Sequence, residues 1–209
     1  MSLITAFDDI KPEKVKRTQF GTSTSFFGAS TQTTDGPTAY AKIVRHIPPG
    51  MVSSAHFHVV DQFQIIVDGK GKFGRHEVSP YCVHFSRAHT PYGPLLPDEQ
   101  AGWAFLTIRT RHDPGAQRYP EARDTLKRNH ERRPWQITKK ATFPVQGPEV
   151  SLRDIPGIKD EQGLFASTLT MSPGARSVAP DPSCGDGQYV VVVRGSLVHE
   201  NKEHKAPTI

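Results

Sequence analysis

The sequence predicts an all-β fold, a small antiparallel sandwich or barrel. Pro and Gly are plentiful, 18 and 17 in 209 residues, which suits many turns between short strands and not a helix bundle. Before residue 120 there is almost no helical periodicity, and apolar, β-branched runs recur between turn signals at the rhythm of a sandwich or barrel. The length allows one large domain or two of about 100 residues.

The elements follow in order. AKIVRHI, ahead of Gly50, reads as a strand. QFQIIVD, from Gln62, is β-branched and apolar and ends at Asp68-Gly69, a hairpin signal, with the strand-like KFGRHEV beyond it. YCVHFS, from Tyr81, is another strand, ending in the turn-rich TPYGP. GWAFLTIRT, from Gly102, is the strand expected to close the domain. PEARDTLKRNHERRPW then starts with Pro120 and breaks at Pro134, which predicts a short helix with acid near its start and base near its end.

The net charge is +5 and the isoelectric point 9.3. Residues 121–140 hold seven basic side chains against three acidic ones, so one connector carries most of the excess. Trp135 alone falls among those bases, fewer aromatic residues than a single-strand-binding groove requires, and a solvated linker is the better reading than a nucleic-acid surface. No apolar run reaches membrane-spanning length, and the first residues lack the pattern of a signal peptide. Only Cys82 and Cys184 are present, too few for a disulfide framework, so a reducing cytoplasm is the expected compartment.

An internal repeat organises the chain. Gly50, His56, His58, Gln62 and Gly69 find counterparts in Gly174, Pro180, Pro182, Gln188 and Gly195. Five residues separate the first Gly from the first marked position in both copies, and six separate Gln from the closing Gly. Only the middle spacing differs, three residues against five. Each copy is flanked by strand-like runs, with FASTLTM before the second and SLVHE after it. Two copies about 125 residues apart predict two related units: 1–120, a barrel with an N-terminal extension; 121–140, the connector; and 141–209, a partial second sheet.

The chemistry lies in the first copy. His56 and His58 are one residue apart on a strand, so alternation turns both imidazoles to one face. Two converging imidazoles followed by a polar residue on the next strand are how a β-barrel builds a metal site, although HxH alone is a weak signal. Gln64 shares a face with Gln62, and His84 shares one with Cys82 and Ser86, which makes both candidates for lining a cavity.

Gly50-x5-His56-x-His58-x3-Gln62-x6-Gly69 resembles the first motif of the cupin superfamily, in which Gly, two His, Glu and Gly stand at these spacings. The resemblance covers residues 40–110 well and 165–200 more loosely, and it implies a double-stranded β-helix, or jelly-roll barrel, of the bicupin type. It also implies a divalent metal (Fe, Mn, Ni or Zn) held by His56, His58, Gln62 and a further His. Gln62 replaces the family's carboxylate and so weakens the site. In FSRAHTPYGP the family's last ligand falls on Tyr92, with His89 three residues earlier, and either side chain is a candidate to face the cavity. Tyr92 is otherwise the candidate acid or hydrogen-bond donor to substrate.

Pro180 and Pro182 cannot ligate a metal through their side chains, so the second copy is expected to be degenerate. The strands that would complete a second barrel do not follow, which predicts either a longer protein or a homodimer supplying them across an open edge. The expected function is that of a metal-dependent cupin acting on a small polar substrate by dioxygenase-, isomerase- or lyase-like chemistry. The alternative is a metal-free module that binds a small ligand or serves structure alone.

Overall fold

A computed structural model describes residues 4–18, 21–28, 39–46, 51–126, 133–144, 149–181, 183 and 187–209. Gly50, Pro182 and Cys184 lie outside the described residues. Among the described residues there are sixteen strands: β1 Val15–Thr18, β2 Gly21–Phe27, β3 Tyr40–His46, β4 His56–Phe57, β5 Gln62–Gly69, β6 Gly71–Phe73, β7 His76–Val78, β8 Cys82–Ser86, β9 Leu95–Pro97, β10 Trp103–Arg109, β11 Gln117–Arg118, β12 Gln136–Lys140, β13 Val150–Lys159, β14 Phe165–Met171, β15 Ser196–His199 and β16 Lys202–Lys205. Among the described residues the only helical pieces are 3-10 turns, and no helix is long and apolar enough to cross a membrane.

The fold is all-β and antiparallel, as the sequence predicts. Seven strands form one sheet in the order β1-β2-β3-β10-β5-β8-β12. A shorter layer faces it, made of β7-β6-β9 and the pair β11-β4, and bridges Ser53↔Leu95 and His56↔Tyr92 stitch the two pieces together. Ile66, Cys82, Trp103 and Phe105 of the large sheet pack between the layers against Phe73, Val78, Tyr92 and Leu95 of the small one. A second cluster (Phe26, Ala41, Ile43, Ala104, Leu106, Ile108 and Ile209) covers the opposite face. Every residue of β10 is buried. A strand that is apolar on both faces belongs in the middle of a covered sheet, and β10 lies between β3 and β5 instead of closing the domain at an edge.

Other differences from the sequence expectations have physical reasons. Asp68-Gly69 does not close a hairpin between its flanking strands: β5 pairs with β10 and β8, and β6 with β7 and β9. The chain crosses here from one layer to the other. Gly69 has φ +69°, and a Cβ on it would come within 2.2 Å of the Gly102 carbonyl oxygen, so only glycine fits this crossing. In the connector, a 3-10 turn at Arg123–Thr125 is followed by residues 127–132, which lie outside the described set, so most of the expected helix is not covered. Its last residues, Gln136–Lys140, are strand β12, paired with β8, because Ile137 and Trp135 can pack onto the apolar outer face of the sheet.

Residues 141–209 hold two separate two-stranded ribbons, β13-β14 and β15-β16. Ile155 and Ile158 of β13 join Val83, Phe85 and Ala141 in a third apolar cluster on the outer face of the large sheet. FASTLTM and SLVHE are strands β14 and β15, as expected. The run Gln188–Val193 is not a strand and makes a single bridge, Val192↔Thr208.

Candidate functional site

A cavity of about 210 Å³ opens between the layers at the polar end of the core. Its walls come from β3 (Tyr40, Lys42, Val44), β4 with its flanks (Ser53, His56, His58), β5 (Gln64), the turn at Tyr92, and β10 (Phe105, Thr107, Arg109). The loop Asp113–Ala116 closes one side. Period-two alternation explains the selection. Gln62, Gln64 and Ile66 alternate inward along β5, and Trp103, Phe105, Thr107 and Arg109 along β10. The register sets Lys42, Thr107 and Gln64 side by side across three strands, with His84 next in the row.

His56 and His58 converge as expected, with ring centroids 5.4 Å apart. Tyr92 is the inward-facing member of the turn, its hydroxyl 2.9 Å from His56 Nε2. His89 is not part of the wall: φ is +59°, its backbone N–H donates to the His58 carbonyl at 2.7 Å, and its ring lies 6.1 Å from that of Phe57. Phe57 points away from the face shared by His56 and His58, so His89 packs outside the cavity. Gln62 lies behind Tyr92 and Arg109, fully buried. His84 lies behind Tyr92, its ring 5.0 Å from the phenol and its Nδ1 2.8 Å from Thr138 Oγ1.

Three charged members of the site were missed in the sequence, Lys42, Arg109 and Asp113. Arg109 donates from Nε and Nη2 to Gln62 Oε1 at 3.1 and 2.9 Å. Its Nη1 is 3.1 Å from Asp113 Oδ2. Nη2 is also 3.2 and 3.3 Å from the two ring nitrogens of His58, so it rests across that ring and is not aligned with one lone pair. Asp113 accepts from His58 Nδ1 at 2.7 Å, from the Gly115 N–H at 3.0 Å and from the Val59 N–H at 3.3 Å. Arg109 was legible in principle, being a charged residue in the inward phase of an apolar strand. Asp113 sits in an irregular loop and had no periodic signal.

The polarity of the network follows from its fixed ends. A carbonyl only accepts, so the contact of His56 Nδ1 with the Ser54 oxygen at 2.8 Å puts the ring proton on Nδ1. His56 Nε2 therefore accepts from the Tyr92 hydroxyl. At the other end a guanidinium only donates, so Gln62 turns its carbonyl to Arg109 and its amide N–H to the Tyr92 oxygen, at 2.5 Å.

Burial sets the charges. It pushes His56 down to about 4, against the raising effect of the Ser54 hydrogen bond, with His58, Arg118 and Arg109 lowering it further. Burial also pushes His58 down, opposed by its bond to Asp113 and reinforced by Arg109. Both rings are neutral at neutral pH. Burial pushes the Tyr92 phenol up, which keeps it protonated. Burial alone would raise Asp113, but hydrogen bonding to His58 and the Arg109 charge hold it below the usual carboxylate range. Lys42 is brought down to about 8, first by burial and then by the charge of Arg109.

The donor set does not fit a divalent metal. Neutral imidazoles with their Nδ1 protons held by a carbonyl and a carboxylate are good ligands in isolation. Here, however, the Gln62 carbonyl is committed to Arg109, Tyr92 occupies His56 Nε2, and a permanent cation lies across His58. Among the described residues no group of three or more His, Cys, Asp or Glu side chains is placed to hold a metal ion.

No family model and no curated protein matches the sequence. Two solved structures match, both tryptophan variants of the oxalate decarboxylase of Bacillus subtilis, at 12% and 11% identity with a TM-score of 0.38 for each. The matches cover 52% of this chain and 29% of theirs, so the chain spans less than a third of the length of these neighbours.

Proposed function

We propose that the chain is a cupin-type barrel whose cavity binds a small carboxylate-bearing molecule without a divalent metal. One observation carries the reading: Lys42 opens onto the cavity, partly buried and 5.9 Å from the Tyr40 ring centroid, and Asp113, the carboxylate that acts on it, is ion-paired with Arg109 instead. A buried ammonium without a counter-charge is costly, and an anionic ligand supplies the missing charge. The rest of the wall supports the same sign. With both histidines neutral, Lys42 and Arg109 face one carboxylate, Asp113, which leaves the cavity one positive charge in excess. Bonds to Gln62, the ion pair with Asp113 and the contact across His58 hold the Arg109 guanidinium at the cavity wall, where it faces a ligand. A volume near 210 Å³ is below the range of drug-sized pockets and suits a molecule of a few carbons.

Arg109 takes over the role that a metal would have here. It neutralises Asp113, orients His58 and Gln62, and brings fixed positive charge to the cavity wall. Tyr92 donates to His56 and so acts as a structural donor, holding a proton at its hydroxyl and not delivering one to a ligand.

Thermal denaturation of the full chain against two- to four-carbon carboxylates tests the reading. Carboxylates are expected to raise the midpoint in a concentration-dependent way, and matched amines and alcohols are not. Stabilisation by neutral or cationic compounds with none by carboxylates would overturn it. So would near-stoichiometric Fe, Mn, Ni or Zn in the purified protein that is lost in a His56→Ala/His58→Ala variant.

A further inference from the structure

The hydrogen-bond polarity of the cavity specifies a second group on the ligand. Tyr92 has one proton, given to His56, and two acceptor positions on its oxygen. Gln62 fills one with its amide N–H. Gln64 lies near this phenol and favours its ionised form, as an amide N–H donor does, and since Tyr92 has no further proton to give, the amide nitrogen of Gln64 is the end that suits it. The Gln64 carbonyl then faces away from Tyr92. That oxygen is buried, has no hydrogen-bond partner, and belongs to a residue 3% exposed on the cavity wall. An amide flip cannot relieve it, because the flipped carbonyl would meet an oxygen without a proton to offer.

We propose that the ligand is a hydroxy carboxylate, its carboxylate held by Lys42 and Arg109 and its hydroxyl donating to Gln64 Oε1. The inference rests on the anion-binding reading above and names the class of anion. The register supports two-point recognition: Lys42 and Gln64 flank Thr107 on adjacent strands, so both reach one small molecule lying along that row. An ammonium donor would also satisfy Gln64, but the cavity already carries excess positive charge, which disfavours a second cation. A ligand without a donor leaves the carbonyl buried and unpaired, and a site built this way discriminates strongly against such analogues.

Calorimetric titration of the full chain with matched pairs, lactate against propionate and malate against succinate, tests this directly. The hydroxylated member of each pair is expected to bind about tenfold tighter or more. In Gln64→Met, which keeps the side-chain volume, the two members of a pair are expected to converge to within about threefold. If wild-type protein binds both members equally, the hydroxyl assignment is overturned while the anion site stands. If no carboxylate binds, both readings fall. A Gln64→Met variant that folds and keeps the full preference would show that another group reads the hydroxyl, and would also overturn the assignment. The wild-type pairs decide the matter alone should that variant fail to fold.

Discussion

The two copies of the motif have the same Gly-to-His and Gln-to-Gly spacing and different fates. In the first, Gln62–Gly69 is a strand hydrogen-bonded on both sides, to β10 and to β8, with alternate residues buried in the cavity wall. In the second, Gln188–Val193 has one bridge, and Val190 is 46% exposed. VVVV has as strong a β propensity as QIIV. Propensity fills a strand only where partner strands stand ready, and the second copy has no ladder beside it. Tyr189 instead uses its hydroxyl to tie the segment to the first unit, donating to the Arg109 carbonyl at 2.5 Å. This segment therefore braces the backbone at the end of the strand that carries Arg109.

Arg109→Met should break the first copy most severely. It leaves Asp113 buried without its cation and Gln62 without its donor, and the expected loss is about 3–5 kcal/mol in denaturant unfolding. Adding Asp113→Asn removes the stranded charge and should recover part of that loss. A single variant costing under about 1 kcal/mol would show that the guanidinium is not the keystone of the network.

Acid should come next. Burial lowers His56 to about 4 and His84 to about 3 in the folded chain, against about 6.5 when unfolded. Between these values the unfolded state binds more protons than the folded one. Their contribution to stability is therefore fully present above about pH 6.5 and is lost as pH falls toward 4 and then 3. His56→Gln should flatten the upper part of that slope, and an unchanged slope would exclude His56 as its source.

Lys42→Met sharpens the separation between binding and folding. It removes the cavity-facing ammonium, whose nearby carboxylate Asp113 is paired with Arg109, so carboxylate affinity should fall at least about tenfold while stability holds or rises. In the wild type, binding should weaken above about pH 8 as Lys42 loses its proton. Tyr40 is pushed up by burial, so it does not compete in that window. At the small end, Val190→Ser in the second copy should change stability by less than about 0.5 kcal/mol, where an equivalent polar substitution at Ile66 would cost several.

Much of the fold was legible because alternation and turn residues are local signals. The strands from Gln62, Cys82 and Trp103, the inward pairing of His56 with His58, and the placement of Gln64 all follow from period two. Strand order was not legible, because which runs pair depends on burial of both faces, as β10 shows. The turn after β8 offered two candidate side chains, and the choice of Tyr92 over His89 depends on a left-handed residue in the backbone. The ligand set read from spacing assumed that Gln62 was free to coordinate. A partner more than forty residues away, Arg109, holds it, and no local pattern announces that contact.

The most direct test is calorimetric titration of malate into chelator-treated protein, with and without added Mn²⁺. The account predicts binding that survives chelation, is unaffected by the metal and is lost in Lys42→Met. Binding that disappears on chelation and returns with Mn²⁺ would contradict it, and would place the metal where Arg109 is assigned.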